Sequence, residues 1–298
     1  MSLIQLPARE ESTPAEKVTA QTLLDRKQAR QPITALTAYD YSTARLVDQA
    51  GIDVILVGDS LGMAVLGYDS TLPVTMEEML HHTRAVHRAV RRALLVADMP
   101  FGSYHASTGE AIGNATRFIK DAGAEAVKIE GGRNRAALVA ALSQAEIAVV
   151  GHIGLTPQSV HRLGYRVQGK STAAIDDLIA DAQALEAAGA IAIVLECVPR
   201  EAGGLITAAL AIPTIGIGAG PECDGQILVF HDLVNLTGAT PAKFVRRYAD
   251  ASALFSEAIR HYASDVRAGA FPADAESYHL PREASEEPLS REPQQRSR

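Results

Sequence analysis

The sequence predicts an α/β protein, a (β/α)8 TIM barrel with extra N-terminal and C-terminal helices. Eight short apolar runs, rich in β-branched residues, alternate with longer segments of helical character. This alternation is typical of a parallel sheet joined by right-handed crossovers. The runs do not alternate apolar and polar residues, as expected for strands covered on both faces. A chain of 298 residues is long enough for one such barrel.

The first four predicted strands have clear boundaries. They are residues 33–38, 53–57, 93–100 and 125–130. The helices predicted around them are residues 18–30, 41–50, 76–92 and 108–122. Gly51 and Gly123 follow two of these helices and can adopt the left-handed conformation that ends a helix. Thr75 and Glu78 form the pattern of a capping box, which predicts that a helix begins at residue 76.

The second half of the chain continues the pattern. The predicted strands are residues 147–152, 190–195, 212–216 and 226–230, and the predicted helices are residues 134–145, 173–188, 241–248 and 251–269. The interval between the last two strands is too short for a helix, so we predict a loop or a single turn there. Residues 154–170 are rich in glycine, and we expect this segment to be partly mobile.

The predicted barrel domain comprises residues 18–271, with the C-terminal helices included. Residues 1–17 and 272–298 are polar and contain prolines and clusters of charge. Segments of this composition bury too little apolar surface to fold alone. We therefore predict a flexible tail at each end.

The composition disfavours several classes of protein. The formal net charge is −7, which argues against binding to nucleic acid through its phosphates. No apolar run approaches the roughly 18 residues of a membrane-spanning helix, and the N-terminus lacks the apolar region of a signal peptide. Two cysteines, Cys197 and Cys223, are too few for a disulfide framework. These features predict a cytoplasmic protein with reduced thiols.

Reactive side chains recur at the carboxyl ends of the predicted strands. They are Asp59, Ser60, Asp98, Lys128, Glu130, His152 and Glu196. Each has a simpler explanation alone, since Asp59 or Ser60 could cap a helix and His152 could be a hydrogen-bonded core residue. In a parallel barrel, however, the carboxyl ends of all strands meet at one face, which we call the mouth. Their recurrence predicts an active site at the mouth.

Three of these residues form a candidate metal site. Asp59, Asp98 and Glu130 follow adjacent strands, and crowded carboxylates repel one another unless a cation or a proton relieves them. Oxygen ligands favour Mg²⁺ that keeps water or substrate oxygens in its shell. Zinc is disfavoured because only His152 offers a nitrogen ligand. The alternative is a hydrogen-bonded carboxylate network without metal.

The remaining candidates suggest the chemistry. Lys128 and Glu130 are two residues apart in a strand, so they share one face. A magnesium ion beside Lys128 and His152 suits a 2-oxo acid, whose enolate the metal would stabilise. Glu196 is the natural base for removing the proton next to the carbonyl, unless it is a solvated loop acid.

Two other features offer weaker hypotheses. The turn at residues 216–220 (GIGAG) could bind a phosphate, although close approach of its backbone to a substrate or a neighbouring loop is the better explanation. Cys197 lies beside Glu196, but nothing in the sequence activates it as a nucleophile.

Several motifs resemble the ketopantoate hydroxymethyltransferase family. They are residues 36–42 (LTAYDYS), 57–63 (VGDSLGM), 97–103 (ADMPFGS), 127–132 (VKIEGG), 151–159 (GHIGLTPQS), 165–170 (YRVQGK), 195–199 (LECVP) and 215–220 (IGIGAG). The resemblance extends from about residue 18 to residue 272. One departure lies before Tyr165, where the family usually has two glycines and this chain has Gly164 alone.

The resemblance implies a Mg²⁺-dependent barrel of the phosphoenolpyruvate/pyruvate superfamily. It implies hydroxymethyl transfer from 5,10-methylenetetrahydrofolate to 3-methyl-2-oxobutanoate, which forms 2-dehydropantoate for pantothenate synthesis. The family's motifs imply that Asp59 and Asp98 hold the metal and contact the substrate, with Glu130 as the third carboxylate. They imply that Ser60, Lys128 and His152 bind the keto acid and that Glu196 is the catalytic base. The family also implies a homodecamer, a pentamer of dimers.

Two alternatives stay open at this point. The first is another Mg²⁺-dependent lyase or transferase that acts on C–C bonds of 2-oxo acids, which would not need folate. The second is a non-catalytic 2-oxo-acid sensor, which would have lost at least one of the residues at the strand ends. None of them is missing.

Overall fold

The computed structural model describes residues 16–279 and confirms the predicted barrel. Eight parallel strands close in chain order, and the last strand pairs with the first. The strands are β1 (Ile33–Thr37), β2 (Val54–Val57), β3 (Leu94–Asp98), β4 (Ala126–Glu130), β5 (Val149–Gly154), β6 (Ala192–Glu196), β7 (Thr214–Ile217) and β8 (Gly225–Leu228). Residues 1–15 and 280–298, which make up most of the two predicted tails, lie outside the described residues.

The helices agree with most of the predicted ones. They are α1 (Ala20–Gln28), α2 (Tyr41–Gln49), α3 (Leu61–Ala64), α4 (Met76–His87), α5 (Thr108–Ala122), α6 (Ala136–Gln144), α7 (Val160–Leu163), α8 (Thr172–Ala187), α9 (Arg200–Ala208), α10 (Phe230–Leu233) and α11 (Ala251–Ala268). The capping box at the start of α4 is confirmed, because Thr75 and Glu78 bond reciprocally. The sequence did not predict α9 or the single-turn helices α3 and α10. Thr156 and Pro157 do predict a helix start, and α7 begins three residues after Pro157. As predicted, β7 and β8 are joined without a helix.

The predicted helix over residues 241–248 is wrong, because this segment forms turns and bends. Its last residue bonds to an earlier part of the chain, with the Tyr248 amide donating to the Leu233 carbonyl at 2.8 Å. A Cβ atom added at Gly218 would lie 2.8 Å from the Phe244 ring. The ring therefore packs against the backbone of the glycine-rich turn after β7. This tertiary contact outweighs the local helix propensity.

The described chain separates into two compact units, with the boundary between Ala249 and Asp250. The first unit contains the barrel. The second contains α11, which ends as predicted at Gly269 in the left-handed conformation (φ 68°). The predicted domain extent, residues 18–271, stays a prediction. Along residues 16–279, no helix combines the length and the apolar character needed to cross a bilayer.

The strands alternate between two apolar layers. In β4, Ala126 belongs to the cluster inside the barrel, whereas Val127 and Ile129 pack in the layer between barrel and helices. Lys128 and Glu130 are two and four residues after Ala126, so their side chains lie on the same face of the strand and point into the barrel. This agrees with the prediction that the two residues share one face. The strand thus carries two ionisable groups from the apolar interior to the mouth.

Helix α1 closes the face opposite the mouth. Leu23 of α1 is buried in the apolar cluster of the barrel interior. Two cations of the same helix pair with carboxylates beside the beginnings of strands. Arg26 lies 2.9 Å from Asp53, and Lys27 lies 2.7 Å from Asp224. We call these two pairs the N-terminal clamp, because they fasten α1 to the barrel.

Asp53 is the more buried acid of the clamp, with 2% of its surface exposed. It accepts hydrogen bonds from the Thr34 amide at 3.0 Å and from Arg92 at 2.7 Å, besides the contact with Arg26. Burial alone would raise the pKa of Asp53, but the bonds from Thr34 and Arg92 outweigh it and hold the pKa below its usual value.

Asp53→Asn is expected to lower the free energy of unfolding by about 3 kcal/mol, because it leaves two partly buried guanidinium groups without a negative partner. The measurement is urea unfolding at fixed chain concentration. Asp176→Asn, at an exposed position of α8, is the control and should change little. Equal losses for both variants would contradict a special role of the clamp.

The same variant predicts a pH dependence. A carboxylate with a lowered pKa in the folded state stabilises the protein above its unfolded pKa of about 4 and loses this contribution as pH falls through the folded pKa. The difference between the wild-type chain and Asp53→Asn should therefore be complete at neutral pH and should shrink below about pH 4. A difference that grows on acidification would contradict the assignment.

Candidate active site

A cavity of about 190 Å³ opens at the mouth of the barrel. Its lining includes all seven residues that the sequence singled out: Asp59, Ser60, Asp98, Lys128, Glu130, His152 and Glu196. They are contributed by β2 to β6 or by the residues directly after these strands. The structure therefore brings the whole predicted set together, while the roles assigned to its members stay predictions.

Each of the three clustered carboxylates has one hydrogen-bonded oxygen. Asp59 Oδ2 accepts from Gln158 Nε2 at 2.8 Å, and Asp98 Oδ2 accepts from the Asp59 amide at 3.0 Å. Glu130 Oε2 accepts from the Gln158 amide at 3.0 Å. The other oxygens of Asp98 and Glu130 are buried and face positively charged partners. Lys128 Nζ lies 3.0 Å from Asp98 Oδ1, and His152 Nδ1 lies 3.4 Å from Glu130 Oε1.

The carboxylate cluster carries more negative charge than its neighbours neutralise. Burial raises the pKa of Asp59 well above its usual value, and the charges of Asp98 and Glu130 raise it further. Burial likewise raises the pKa of Asp98. Burial would lower the pKa of Lys128, but the surrounding carboxylates raise it, so the amine stays charged. Even with His152 beside Glu130, the three carboxylates outnumber the cations that face them, so the site favours a further cation or a proton.

These observations fit a divalent cation with hard oxygen ligands. The buried oxygens that face Lys128 and His152, Asp98 Oδ1 and Glu130 Oε1, could serve as ligands. Among the described residues, no group of three His, Cys, Asp or Glu side chains is arranged to hold a metal by itself. Carboxylate oxygens are nevertheless the ligands of a cation such as Mg²⁺, which keeps water or substrate oxygens in its shell.

His152 separates the cluster from Glu196. Its Nδ1 lies 3.1 Å from Lys128 Nζ and 3.4 Å from Glu130, and its Nε2 lies 3.2 Å from Glu196 Oε2. Burial and Lys128 lower the pKa of His152, but the contacts with Glu130 and Glu196 raise it more, to about 9. The imidazole thus fixes Glu196 on the far side of the cavity from the carboxylate cluster.

Glu196 is the least buried of the acids at the site. Its side chain is 17% exposed, against 3% for Asp98 and for Glu130. Its carbonyl accepts a hydrogen bond from the Leu155 amide at 2.8 Å. Its neighbour Cys197 is not activated, because burial and the charge of Glu196 raise the pKa of this thiol to about 11. Glu196 is therefore placed to exchange protons with a molecule in the cavity.

Glycine at position 154 permits this placement of Glu196. Gly154 has a φ of +91°, and a Cβ atom there would lie 2.3 Å from the Glu196 carbonyl oxygen. Such a separation is not compatible with two unshifted backbones. A side chain at position 154 would have to displace the end of β6 or the loop after β5.

Sequence reasoning missed three residues that organise the site. The Tyr39 hydroxyl lies 2.8 Å from Ser60 Oγ, and burial raises the pKa of Tyr39 above its usual value. Gln158 bonds to two of the carboxylates, and the Tyr104 hydroxyl donates to Gln158 Oε1 at 2.6 Å. Tyr39 and Gln158 lie within the family motifs at residues 36–42 and 151–159, and Tyr104 directly follows the motif at residues 97–103. The family motifs were therefore the signal that could have identified these residues.

Comparison with known sequences gives consistent matches. A family model described as ketopantoate hydroxymethyltransferase matches residues 17–274. A protein of Koribacter versatilis named 3-methyl-2-oxobutanoate hydroxymethyltransferase is 66% identical over 269 residues, which are 90% of this chain and 91% of that protein. A protein of Carboxydothermus hydrogenoformans with the same name is 55% identical and covers 89% of this chain and 96% of its own.

Comparison with solved structures identifies the same architecture in more distant proteins. Phosphonopyruvate hydrolase in complex with oxalate and Mg²⁺ gives a TM-score of 0.57 at 17% identity, over 88% of this chain and 92% of that chain. The enzyme 2,3-dimethylmalate lyase, a member of the PEP mutase/isocitrate lyase superfamily, gives 0.57 at 17% identity, over 89% and 93%. At such identities the likeness concerns the fold.

Proposed function

The chain belongs to the ketopantoate hydroxymethyltransferase family, and we propose on this basis that it transfers a hydroxymethyl group to 3-methyl-2-oxobutanoate, forming 2-dehydropantoate. The structural observation that carries the proposal is the position of Glu196. It faces the cavity beyond His152, 3.2 Å from that ring and across from the carboxylate cluster and Lys128. A 2-oxo acid bound between them would present C3 to a base and its oxygens to cations.

We propose that Lys128 and Ser60 bind the oxygens of the keto acid. An ammonium group has three hydrogens, and Lys128 directs one of them to Asp98 Oδ1 at 3.0 Å. Another can meet a keto-acid oxygen. When Tyr39 donates to Ser60 Oγ, the Ser60 hydroxyl hydrogen can also point to the substrate. Both groups stabilise the negative charge that develops on the keto oxygen.

The proposed reaction breaks the C3–H bond and forms a new C–C bond. Glu196 takes the proton from C3, and the electron pair delocalises onto the keto oxygen. C3 then attacks the one-carbon unit. We propose 5,10-methylenetetrahydrofolate as the donor. One water molecule supplies the hydroxyl oxygen, both C–N bonds of the methylene group break, and tetrahydrofolate leaves with the two hydrogens of the water on its nitrogens. The proton taken from C3 ends on the new hydroxyl group.

We propose that Asp59 and Asp98 hold a divalent cation, Mg²⁺, with Glu130 as the third carboxylate. The excess negative charge of the cluster supports this assignment. When bound, such a cation would draw electron density from the keto oxygen and so acidify C3–H. A cytoplasmic location and a decamer of five dimers are further proposals, which rest on the family alone.

The test is product formation from 3-methyl-2-oxobutanoate and methylenetetrahydrofolate in the presence of Mg²⁺. We expect 2-dehydropantoate only when both organic substrates are present. Formation of a product from the keto acid alone, or cleavage of a 2-oxo acid without folate, would instead indicate a Mg²⁺-dependent C–C lyase. No reaction with any 2-oxo acid would contradict the enzymatic proposal altogether.

Gly154→Ala is expected to slow proton exchange at C3 by about 100-fold, the cost of displacing a catalytic group by about 1 Å. The measurement is deuterium incorporation at C3 in D₂O, followed by NMR. Gly113→Ala is the matched control, because a Cβ atom there meets nothing within 4 Å on the helix α5. That control should keep the wild-type rate. An unchanged rate in Gly154→Ala would show that Glu196 does not depend on this contact.

A further inference from the structure

Gln158 joins three neighbouring strands at the mouth. It is 6% exposed and lies in a single helical turn after β5. Its Nε2 donates to Asp59 Oδ2 at 2.8 Å and to the Met99 carbonyl at 3.0 Å. Its backbone amide donates to Glu130 Oε2 at 3.0 Å. The bonds thus reach residues at the ends of β2, β3 and β4.

The amide of Gln158 is held in one orientation. The Tyr104 hydroxyl donates a hydrogen bond to Gln158 Oε1 at 2.6 Å and accepts one from the Glu130 amide at 3.3 Å. Both hydrogens of Nε2 are already used by Asp59 and Met99. A rotation of the amide by 180° would bring Oε1 against a carboxylate and a carbonyl, so it would lose three hydrogen bonds at once.

This geometry determines which carboxylate oxygens stay available. Gln158 occupies Asp59 Oδ2 and Glu130 Oε2. The other oxygen of Glu130, Oε1, lies 3.4 Å from His152 Nδ1, and both acids line the cavity. A neutral amide can do this without adding positive charge, so it does not compete with a cation. A lysine or arginine at the same place would neutralise the cluster instead.

We propose that Gln158 is a positioning residue for the cation site, which it sets by holding Asp59 and Glu130 with one oxygen each turned toward the cavity. Tyr104 acts through Gln158 by fixing the orientation of its amide. The proposal rests on the cation site of the proposed function. It also explains how buried carboxylates that repel one another keep a defined arrangement. Gln158 itself touches neither the cation nor the keto acid.

The test measures cation binding without catalysis, with Mn²⁺ as the probe and the full-length chain. Electron paramagnetic resonance reports free Mn²⁺ during a titration, and the line shape of the bound ion reports the symmetry of its ligands. Gln158→Leu removes the side-chain donors at similar volume, and Tyr104→Phe removes only the hydroxyl. Gln144→Leu, at an exposed position at the end of α6, is the control.

We expect Gln158→Leu to raise the Kd for Mn²⁺ by about 10- to 100-fold, and Tyr104→Phe to raise it less. Both should change the spectrum of bound Mn²⁺, whereas Gln144→Leu should match the wild-type chain. Thermal unfolding in chelator establishes that each variant is folded, and Tyr104→Phe carries the test if Gln158→Leu is not. A folded variant with wild-type Mn²⁺ affinity and spectrum would overturn the inference about Gln158 but not the proposed cation site. A wild-type chain that binds no Mn²⁺ would overturn the proposed cation site as well.

Discussion

Glu196→Gln should slow proton exchange at C3 of 3-methyl-2-oxobutanoate by about 100- to 10,000-fold, the usual contribution of a general base. The amide keeps the size of the side chain and its contact with His152, but it cannot take a proton. The measurement is the loss of the C3–H signal by NMR in D₂O, in the absence of folate. This isolates proton removal from the later C–C bond formation.

The control for this variant is Glu201→Gln, which removes an exposed carboxylate on α9 close in sequence to the site. It should exchange the C3 proton at the wild-type rate. Glu196→Gln should still bind the keto acid, because the groups proposed to bind it are Lys128 and Ser60. If the variant exchanged the proton as fast as the wild-type chain, another group would be the base and the proposed role of Glu196 would be wrong.

Removal of divalent cations by a chelator should lower turnover by about 1,000-fold, equivalent to about 4 kcal/mol of transition-state stabilisation. The physical reason is the charge of the cluster, since three buried carboxylates outnumber Lys128 and His152, the two cations that face them. Burial and the neighbouring carboxylates also raise the pKa of Asp59, which favours uptake of a proton when no cation is bound. Turnover is measured after dialysis, with metal analysis of the same sample.

Addition of Mg²⁺ to the dialysed protein should restore the activity. Chelator that has been saturated with Mg²⁺ beforehand is the control, and it should have no effect. Full turnover in a sample that contains no divalent cation would show that the carboxylates form a hydrogen-bonded network without metal. That alternative was already open from the sequence.

The strands and the candidate residues at their ends were predictable for a physical reason. Strands buried on both faces appear as continuous apolar runs, and closure of a parallel barrel brings their carboxyl ends together whatever the connecting helices do. The phase of Lys128 and Glu130 follows from the two-residue period of a strand. For this part of the site, local sequence and overall topology were sufficient.

Other features depend on contacts that the sequence does not display. Gln158 reaches Asp59, 99 residues away in the chain, only because the loop after β5 folds across the mouth. Helix α9 contains Gly203, a weak helix former, where a Cβ atom would lie 2.2 Å from the Ala219 carbonyl oxygen. This glycine allows the helix to pack closely against the backbone of Ala219, but it weakens the helical signal in the sequence. The absence of a helix over residues 241–248 has the same kind of cause, since Phe244 packs on Gly218.

The N-terminal clamp has a consequence for protein engineering. Its charges fasten α1 at the end of the barrel opposite the cavity, so the clamp and the candidate active site share no side chain. Substitutions at distant sites add up nearly independently in their effects on stability. A directed-evolution library restricted to the clamp and its surroundings can therefore be selected for heat tolerance alone. The gain in tolerance can then support destabilising substitutions at the mouth that broaden the range of accepted 2-oxo acids.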